Sequence, residues 1–261
     1  MYARRTVLKT AAGTAVGLPL ATVLADPLVA RAVAQTTDTV SLTLPSGREV
    51  SATLAMPETT PAPAILLIHE WWGLNDQIKS VAAEYANRGY VALAVDLMGG
   101  EVAATPDEAR ALTGAVVEEE AVETLVGWID WLKGHEATTG RVGTVGWCFG
   151  GGWSIRASME TPVDATVVYY GRVPGDPQAL ESLESPVMGH FGTEDSFINE
   201  EMVSTWAAAM NEAAKSYTVH WYDADHAFAN PTGNAYDSED AQLAWQRTLT
   251  FFDRYLKPEE A

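Results

Sequence analysis

The feature that most constrains the fold is an alternation of short, wholly apolar runs with longer segments of helical period. AILLI at 64–68 and VALAV at 91–95 suit strands that are buried on both faces of a parallel sheet. The segment at 118–134 has helical spacing, with acidic residues in its first turn and Lys133 near its end. This alternation predicts an α/β fold: a mostly parallel central sheet with helices on both faces.

The same pattern continues through one domain, which we expect to span residues 35–261. Residues 39–57 alternate apolar and polar side chains on either side of Ser46–Gly47, which predicts a β-hairpin. Further predicted strands lie at 141–148, 164–171, 186–195 and 217–225. The other predicted helices lie at 77–89, 150–160, 199–213 and 238–256.

The first 34 residues have the character of an export signal. Arg4–Arg5 precedes an apolar stretch, and Ala32–Ala34 matches a small-x-small cleavage site. We therefore expect a twin-arginine-type signal peptide at 1–34 and a periplasmic or extracellular mature protein. A retained membrane anchor is the alternative, although the apolar stretch is short and Pro27 interrupts its far side.

The balance of charge argues against two classes of partner. The chain has 35 acidic and 16 basic residues, a formal net charge of −19. Such a surface repels the phosphates of nucleic acids and anionic lipid headgroups. We therefore expect no nucleic-acid partner and no stable membrane association after the signal is removed.

Four polar side chains fall where different predicted strands end: Glu70, Cys148, Asp195 and His226. In open parallel sheets, ligands bind at the carboxyl ends of the strands. We therefore expect these four side chains to contribute to one site.

Cys148 is the only cysteine of the chain and cannot form an internal disulfide. It is therefore a buried apolar side chain, an intermolecular link or a reactive thiol. Its surroundings, Gly146-Trp147-Cys148-Phe149-Gly150, lie between a predicted strand and a predicted helix. This arrangement fits the nucleophile elbow of α/β-hydrolases, with cysteine in place of the usual serine, and the helix N-terminus would stabilise a thiolate.

Two further residues complete a possible catalytic triad. In this fold the chain order is nucleophile, acid, histidine, and Asp195 in HFGTEDSF and His226 in DADHAF follow that order. His226 would act as the base, and Asp195 would fix its tautomer. The alternatives are a loop acid or helix cap at Asp195, a loop histidine at His226, and Asp223 or Asp225 as the partner of the histidine.

Taken together, the motifs HEWWGLN, GWCFGG, GTEDSFIN and DADHAFAN resemble the dienelactone hydrolase (carboxymethylenebutenolidase) family of α/β-hydrolases, from about residue 40 to the C-terminus. The resemblance implies Cys148 as nucleophile, Asp195 and His226 as the rest of the triad, and Glu70 as a fourth participant that helps to generate the thiolate. The fold further implies the backbone N–H groups of Phe149 and Trp71 as donors to the oxyanion.

The sequence departs from the family at the residues that hold a substrate carboxylate. One family arginine is absent from DLMGGEV, the other is replaced by Asn230, and a serine beside the histidine is replaced by Ala227. Loss of charge-paired anchors predicts a neutral or less charged ester, lactone or thioester. We expect a pocket with an apolar, aromatic wall, and the predicted pocket residues are Trp72, Trp147, Phe197, Ala227, Phe228 and Asn230.

Two hypotheses about function remain at this stage. The first is a hydrolase of small ester or lactone substrates that forms an acyl-enzyme on Cys148 and needs no cofactor. The second is a non-catalytic or small-molecule-binding homologue of the same fold. A metal site at His69–Glu70 or Asp225–His226 lacks the usual ligand spacing, so we predict none. The other histidines, His135, His190 and His220, are expected to be structural or solvated.

Overall fold

The structure, a computed structural model, describes residues 37–257. The predicted signal peptide at 1–34 lies outside these residues and stays a prediction. Within the described part of the chain, no helix has the length and apolar character needed to cross a membrane.

Eight strands form a single sheet in the order β1-β2-β4-β3-β5-β6-β7-β8. Strands β1 and β2 form the predicted antiparallel hairpin, and β2 also pairs antiparallel with β4. The strands from β3 to β8 are parallel to one another, which confirms the predicted α/β fold. Their bounds are β1 Asp38–Thr43, β2 Glu49–Ala55, β3 Ala62–Ile68, β4 Val91–Val95, β5 Thr138–Trp147, β6 Ala165–Tyr169, β7 Val187–Gly192 and β8 Tyr217–Tyr222.

Six α-helices accompany this sheet in the described residues: α1 Asp76–Asn87, α2 Pro106–Ala115, α3 Glu118–Gly134, α4 Phe149–Glu160, α5 Glu200–Glu212 and α6 Ser238–Leu256. The helix α2 is not among the helices predicted from the sequence. Its N-terminus nevertheless has a clear local signature, because Thr105 and Glu108 form a reciprocal capping box and Pro106 occupies the first turn.

The core lies on both faces of the sheet. Every residue of β3 is buried, and alternate side chains belong to different clusters. Ile65 and Leu67 pack in a cluster with residues of α1 and α6, whereas Leu66 and Ile68 pack in a cluster with residues of α3. Because each such side chain contributes about 1.5–3 kcal/mol when fully buried, β3 is a rigid support for the residues that follow it.

Buried hydroxyl groups fasten α4 to the sheet directly behind Cys148. The Ser154 hydroxyl donates to the carbonyl oxygen of Val167 at 2.9 Å, and its oxygen lies 3.0 Å from the hydroxyl oxygen of Thr144. Farther along the helix, the hydroxyls of Ser158 and Thr166 lie 2.6 Å apart. These side chains are almost fully buried, so their hydrogen bonds orient the helix that starts at the elbow.

Candidate active site

Cys148 lies in the sharp turn between β5 and α4. Its backbone dihedrals are φ 52° and ψ −114°, a conformation that is rare for a residue with a Cβ atom. A Cβ atom on Gly146 would overlap the carbonyl group of Gly150, and one on Gly150 would overlap the carbonyl oxygens of Ile68 and His69. Both glycines of the motif are therefore required by the close approach of β5, α4 and β3.

His226 and Asp195 lie in line with the sulfur atom. The Nε2 atom of His226 is 3.1 Å from Cys148 Sγ, and its Nδ1 atom is 2.7 Å from Asp195 Oδ2. The other carboxylate oxygen of Asp195 accepts the backbone N–H groups of Phe197 at 2.7 Å and Ile198 at 2.9 Å. The loop after β7 thus orients Asp195, and Asp195 orients the imidazole.

The competing acids have other partners. Asp225 accepts the backbone N–H of His226 at 2.6 Å rather than a ring nitrogen, and Asp223 accepts the hydroxyl of Thr193 at 3.4 Å. Of the three acids that could orient the ring, the structure brings only Asp195 to Nδ1.

The electrostatics favour a charged pair at this site. Burial lowers the pKa of His226, but the hydrogen bonds to Asp195 and Cys148 outweigh it and raise the pKa to about 10. Burial likewise opposes the ionised form of Asp195, yet the hydrogen bond from His226 and those from the backbone lower the pKa of Asp195 overall. Near neutral pH, the imidazole of His226 is therefore protonated and places a positive charge beside the sulfur atom.

Glu70 enters the same cleft but is bonded to residues other than the cysteine. Its buried carboxylate accepts the Tyr170 hydroxyl at 3.2 Å and the Asn230 side-chain amide at 2.5 Å. Burial raises the pKa of Glu70. Among the described residues, no hydrogen bond joins Glu70 to Cys148, and the hydrogen-bond partner of the sulfur atom is His226.

His69 positions the backbone at this point. Its Nε2 atom accepts the N–H of Leu97 at 3.2 Å, so Nδ1 carries the proton and donates to the carbonyl oxygen of Glu70 at 2.6 Å. Burial lowers the pKa of His69, which is consistent with a neutral structural ring. The ring therefore ties the end of β3 to the loop after β4.

Phe149 and Trp71, the expected oxyanion donors, both line the cleft beside Cys148. Phe149 is the first residue of α4, so its N–H group has no partner within the helix. Trp71 directly follows Glu70, whose carbonyl is held by His69.

A cleft of about 830 Å³ opens over Cys148. Trp72, Phe197, Ala227 and Asn230 line it as the sequence predicts. Phe197 is 71% exposed, and the centroid of its ring lies 5.6 Å from that of His226. The cleft is within the size range of small-molecule sites.

The predictions for Trp147 and Phe228 were wrong. Neither residue lines the cleft: Trp147 packs on Tyr169 in the core, with ring centroids 5.5 Å apart, and Phe228 is fully buried against Tyr170 and Tyr222. Trp147 is the last residue of β5, where neighbouring side chains point to opposite sides, whereas Phe228 lies in a turn after β8. Proximity in sequence to Cys148 or His226 therefore does not bring either side chain into the cleft.

Several residues that line the cleft were not predicted from the sequence. Tyr170 follows β6, has φ 35°, and contacts both Glu70 and the ring of His226. Arg172 comes two residues later and also lines the cleft. Their position after β6 could have identified Tyr170 and Arg172, because they lie at the same edge of the sheet as the four predicted polar residues.

The remaining histidines lie away from the cleft. The ring nitrogens of His190 bond to the Tyr222 hydroxyl at 2.8 Å and the Thr248 hydroxyl at 3.0 Å, which confirms a structural role. His220 stacks on His190, with ring centroids 5.5 Å apart. His135 caps α3 and accepts the N–H of Ala137 at 3.2 Å.

Residues 50–256 match the model of the dienelactone hydrolase family. This chain belongs to that family. It is 29% identical to a relative from Saccharolobus solfataricus named carboxymethylenebutenolidase, over 81% of this chain and 96% of the relative. It is also 29% identical to a Bradyrhizobium protein named 2-oxo-3-(5-oxofuran-2-ylidene)propanoate lactonase, over 81% of this chain and 92% of that one.

A solved structure supports the same assignment. The dienelactone hydrolase from Klebsiella pneumoniae aligns with a TM-score of 0.75 and 25% identity, covering 84% of this chain and 99% of the other. The chain therefore has the α/β-hydrolase fold and is a carboxylic ester hydrolase of the dienelactone hydrolase family.

Proposed function

We propose that this dienelactone hydrolase family member cleaves ester or lactone bonds through an acyl-enzyme formed on Cys148. The observation that carries the proposal is the hydrogen-bonded series from Asp195 through His226 to the sulfur atom, at 2.7 Å and 3.1 Å. Such a series at the end of a strained strand-to-helix turn is the arrangement of an activated nucleophile.

In the first half-reaction, the Cys148 thiolate attacks the carbonyl carbon of the substrate, and the carbonyl electron pair moves onto oxygen. The backbone N–H groups of Phe149 and Trp71 would donate to that oxyanion. The tetrahedral species collapses as the carbon–oxygen bond to the alcohol breaks, and His226 donates its Nε2 proton to the departing alkoxide. A thioester on Cys148 and a free alcohol result; with a lactone, both remain in one molecule.

In the second half-reaction, water attacks the thioester while neutral His226 accepts a water proton. The carbon–sulfur bond breaks, which releases the carboxylic acid and restores the thiolate beside the imidazolium. Asp195 stabilises the charge on His226 in both steps. The positive end of the α4 dipole further stabilises the thiolate.

Glu70 would participate from the buried wall of the cleft. Its carboxylate is held by Tyr170 and Asn230, and burial raises its pKa. A substrate that took the Asn230 amide would free this carboxylate to approach the thiol. Glu70 would then accept the proton of a Cys148 thiol, which leaves a thiolate and a neutral Glu70 as substrate enters.

The walls of the cleft suit an organic acyl or ring group. Trp71 and Trp72 contact edge to face at 4.9 Å, and Trp153 packs near Phe149 at 6.0 Å, all beside Cys148. Aromatic walls favour apolar substrate groups. A small lactone is consistent with the lactonase named among the relatives.

Labelling of the native protein with iodoacetamide, combined with turnover of 4-nitrophenyl acetate, tests the proposal. We expect Cys148 to be labelled at least about tenfold faster than in the denatured protein at pH 7, because a thiolate is the reactive form. Turnover should cease on labelling and in Cys148→Ala. Labelling no faster than in the denatured protein, together with absent turnover, would favour a non-catalytic binding protein instead.

We also propose that the mature protein acts outside the cytoplasm, on the basis of Arg4–Arg5 and the Ala32–Ala34 site. Fractionation of cells that express the full chain, with an Arg4→Lys, Arg5→Lys double variant, tests this. Wild-type protein should be recovered from the exported fraction in shortened form, and the double variant should remain in the cytoplasm. Equal distribution of the two proteins would contradict export by this route.

A further inference from the structure

The cleft contains a cation that has no partner among residues 37–257. Arg172 follows β6, and its side chain is exposed to the cleft that contains Cys148. The other cations of residues 37–257 form ion pairs, hydrogen bonds or cation–π contacts, except Arg88, which interacts electrostatically with Glu84. In the described chain, only Arg172 lacks every such interaction.

The acidic groups of the cleft do not neutralise Arg172. Glu118 forms an ion pair with Arg156 at 3.2 Å, and Glu70 is bonded to Tyr170 and Asn230. The protein has a net charge of −19, so Arg172 places a positive charge in the cleft of a protein whose overall electrostatic potential is negative.

Close backbone packing fixes the position of the Arg172 backbone and Cβ atom relative to α4. A Cβ atom on Gly171 would lie 2.5 Å from the Cα atom of Gly151, and one on Gly152 would lie 3.8 Å from the Cβ of Arg172. Gly152 comes one turn of α4 after Cys148, a rise of about 6 Å. Arg172 therefore starts over the first turn of α4, where the helix N-terminus adds positive partial charge.

We propose that Arg172 binds a carboxylate of the substrate, several bonds away from the scissile carbonyl. A planar guanidinium can donate two parallel hydrogen bonds to a carboxylate, which selects both charge and orientation. The inference rests on the proposed function, and it revises the expectation of a neutral substrate. That expectation considered only the family positions that lack arginine, whereas Arg172 supplies a cation from a different strand.

The test compares two aryl esters that share the same glutaryl chain: mono-4-nitrophenyl glutarate, which carries a terminal carboxylate, and its neutral methyl ester. Arg172→Gln should lower kcat/KM for the anionic ester about tenfold, as expected for loss of one partly exposed charge-assisted hydrogen bond. The neutral ester should change by less than about twofold. Arg172→Lys should recover part of the loss, since it restores the charge without the planar fork.

Arg88→Gln is the matched control, because it also removes one exposed positive charge but lies at the end of α1, away from the cleft. It should leave the ratio of kcat/KM for the two esters unchanged. Added salt should reduce the preference of the wild type for the anionic ester and leave Arg172→Gln unaffected. Equal losses on both esters in Arg172→Gln, or no loss on either, would overturn the proposal.

Binding separates this inference from the proposed function. The 4-nitroanilide of glutaric acid, whose amide resists cleavage, can be titrated calorimetrically into Cys148→Ala with and without Arg172→Gln. We expect about tenfold weaker binding in the double variant. Absence of ester turnover by the wild type would refute the acyl-enzyme mechanism, but the binding comparison would still test the role of Arg172. Equal Kd values for the two variants would refute carboxylate binding by Arg172 and leave the acyl-enzyme mechanism unaffected.

Discussion

Replacement of Asp195 by asparagine isolates the effect of one carboxylate on the reactivity of Cys148. The side chain of Asp195 is 1% exposed, so water screens its 2.7 Å hydrogen bond to His226 very little. Its other oxygen accepts the N–H groups of Phe197 and Ile198. Asparagine keeps an oxygen for those two donors, so we expect the loop after β7 to keep its shape while the charge is lost.

The size of the effect follows from this geometry. A hydrogen bond to a charged group contributes about 1.5–3 kcal/mol. Each 1.4 kcal/mol corresponds to about tenfold in rate, so loss of the charge predicts a decrease of about 10- to 150-fold in kcat/KM. The asparagine amide would also donate to Nδ1 and leave the ring proton on Nε2, the tautomer that cannot accept from a thiol. We therefore expect a decrease of at least about 100-fold.

The assay is the initial rate of 4-nitrophenyl acetate hydrolysis at pH 7, with circular dichroism to check the fold. Asp225→Asn is the control, because Asp225 contacts only the backbone N–H of His226, and it should change kcat/KM by less than about threefold. If Asp195→Asn remained within threefold of the wild type, the assignment of Asp195 as the residue that orients and charges His226 would be wrong.

Two further predictions test the site and its boundary. Since hydrogen bonds to Asp195 and Cys148 raise the pKa of His226 to about 10, the imidazolium persists until the pH rises through that value. The iodoacetamide labelling rate should vary less than about threefold from pH 6.5 to 9, whereas a rise of about tenfold per pH unit below 8.5, as for a free cysteine, would contradict the charged pair. Trp147→Ala should lower the free energy of unfolding in urea by about 3–5 kcal/mol, because it empties a core position. The kcat/KM of this variant should fall less than about threefold. A large loss of kcat/KM with unchanged stability would instead indicate that the side chain of Trp147 lines the cleft.

Asn230 shows how a substitution at one family position changes the interior of the site. Where the resemblance implies an arginine, this chain has a neutral amide that donates to the buried carboxylate of Glu70. A neutral partner offsets the burial of a carboxylate less than a guanidinium does, and burial raises the pKa of Glu70 accordingly. Of the two arginines that line the cleft, Arg156 is paired with Glu118, and Arg172 has no ion pair among the described residues.

Local patterns predicted most of the secondary structure because each element has its own signature. The predicted helix at 118–134 has the same bounds as α3, and the one at 238–256 has the same bounds as α6. The helix α2 was not predicted, although Thr105 and Glu108 form a capping box at its start; of its residues only Ala109 is buried.

The sequence by itself determined the order of strands and helices and the placement of Glu70, Cys148, Asp195 and His226 at strand ends. Strands that are buried on both faces of the sheet require apolar residues, and the turn at Cys148 requires glycines. Both requirements are visible in short stretches of the sequence. Only the tertiary structure decided which acid meets His226, that Glu70 bonds to Asn230 and Tyr170, and that Trp147 faces the core. Those outcomes depend on the directions of side chains from separate strands, which no local pattern contains.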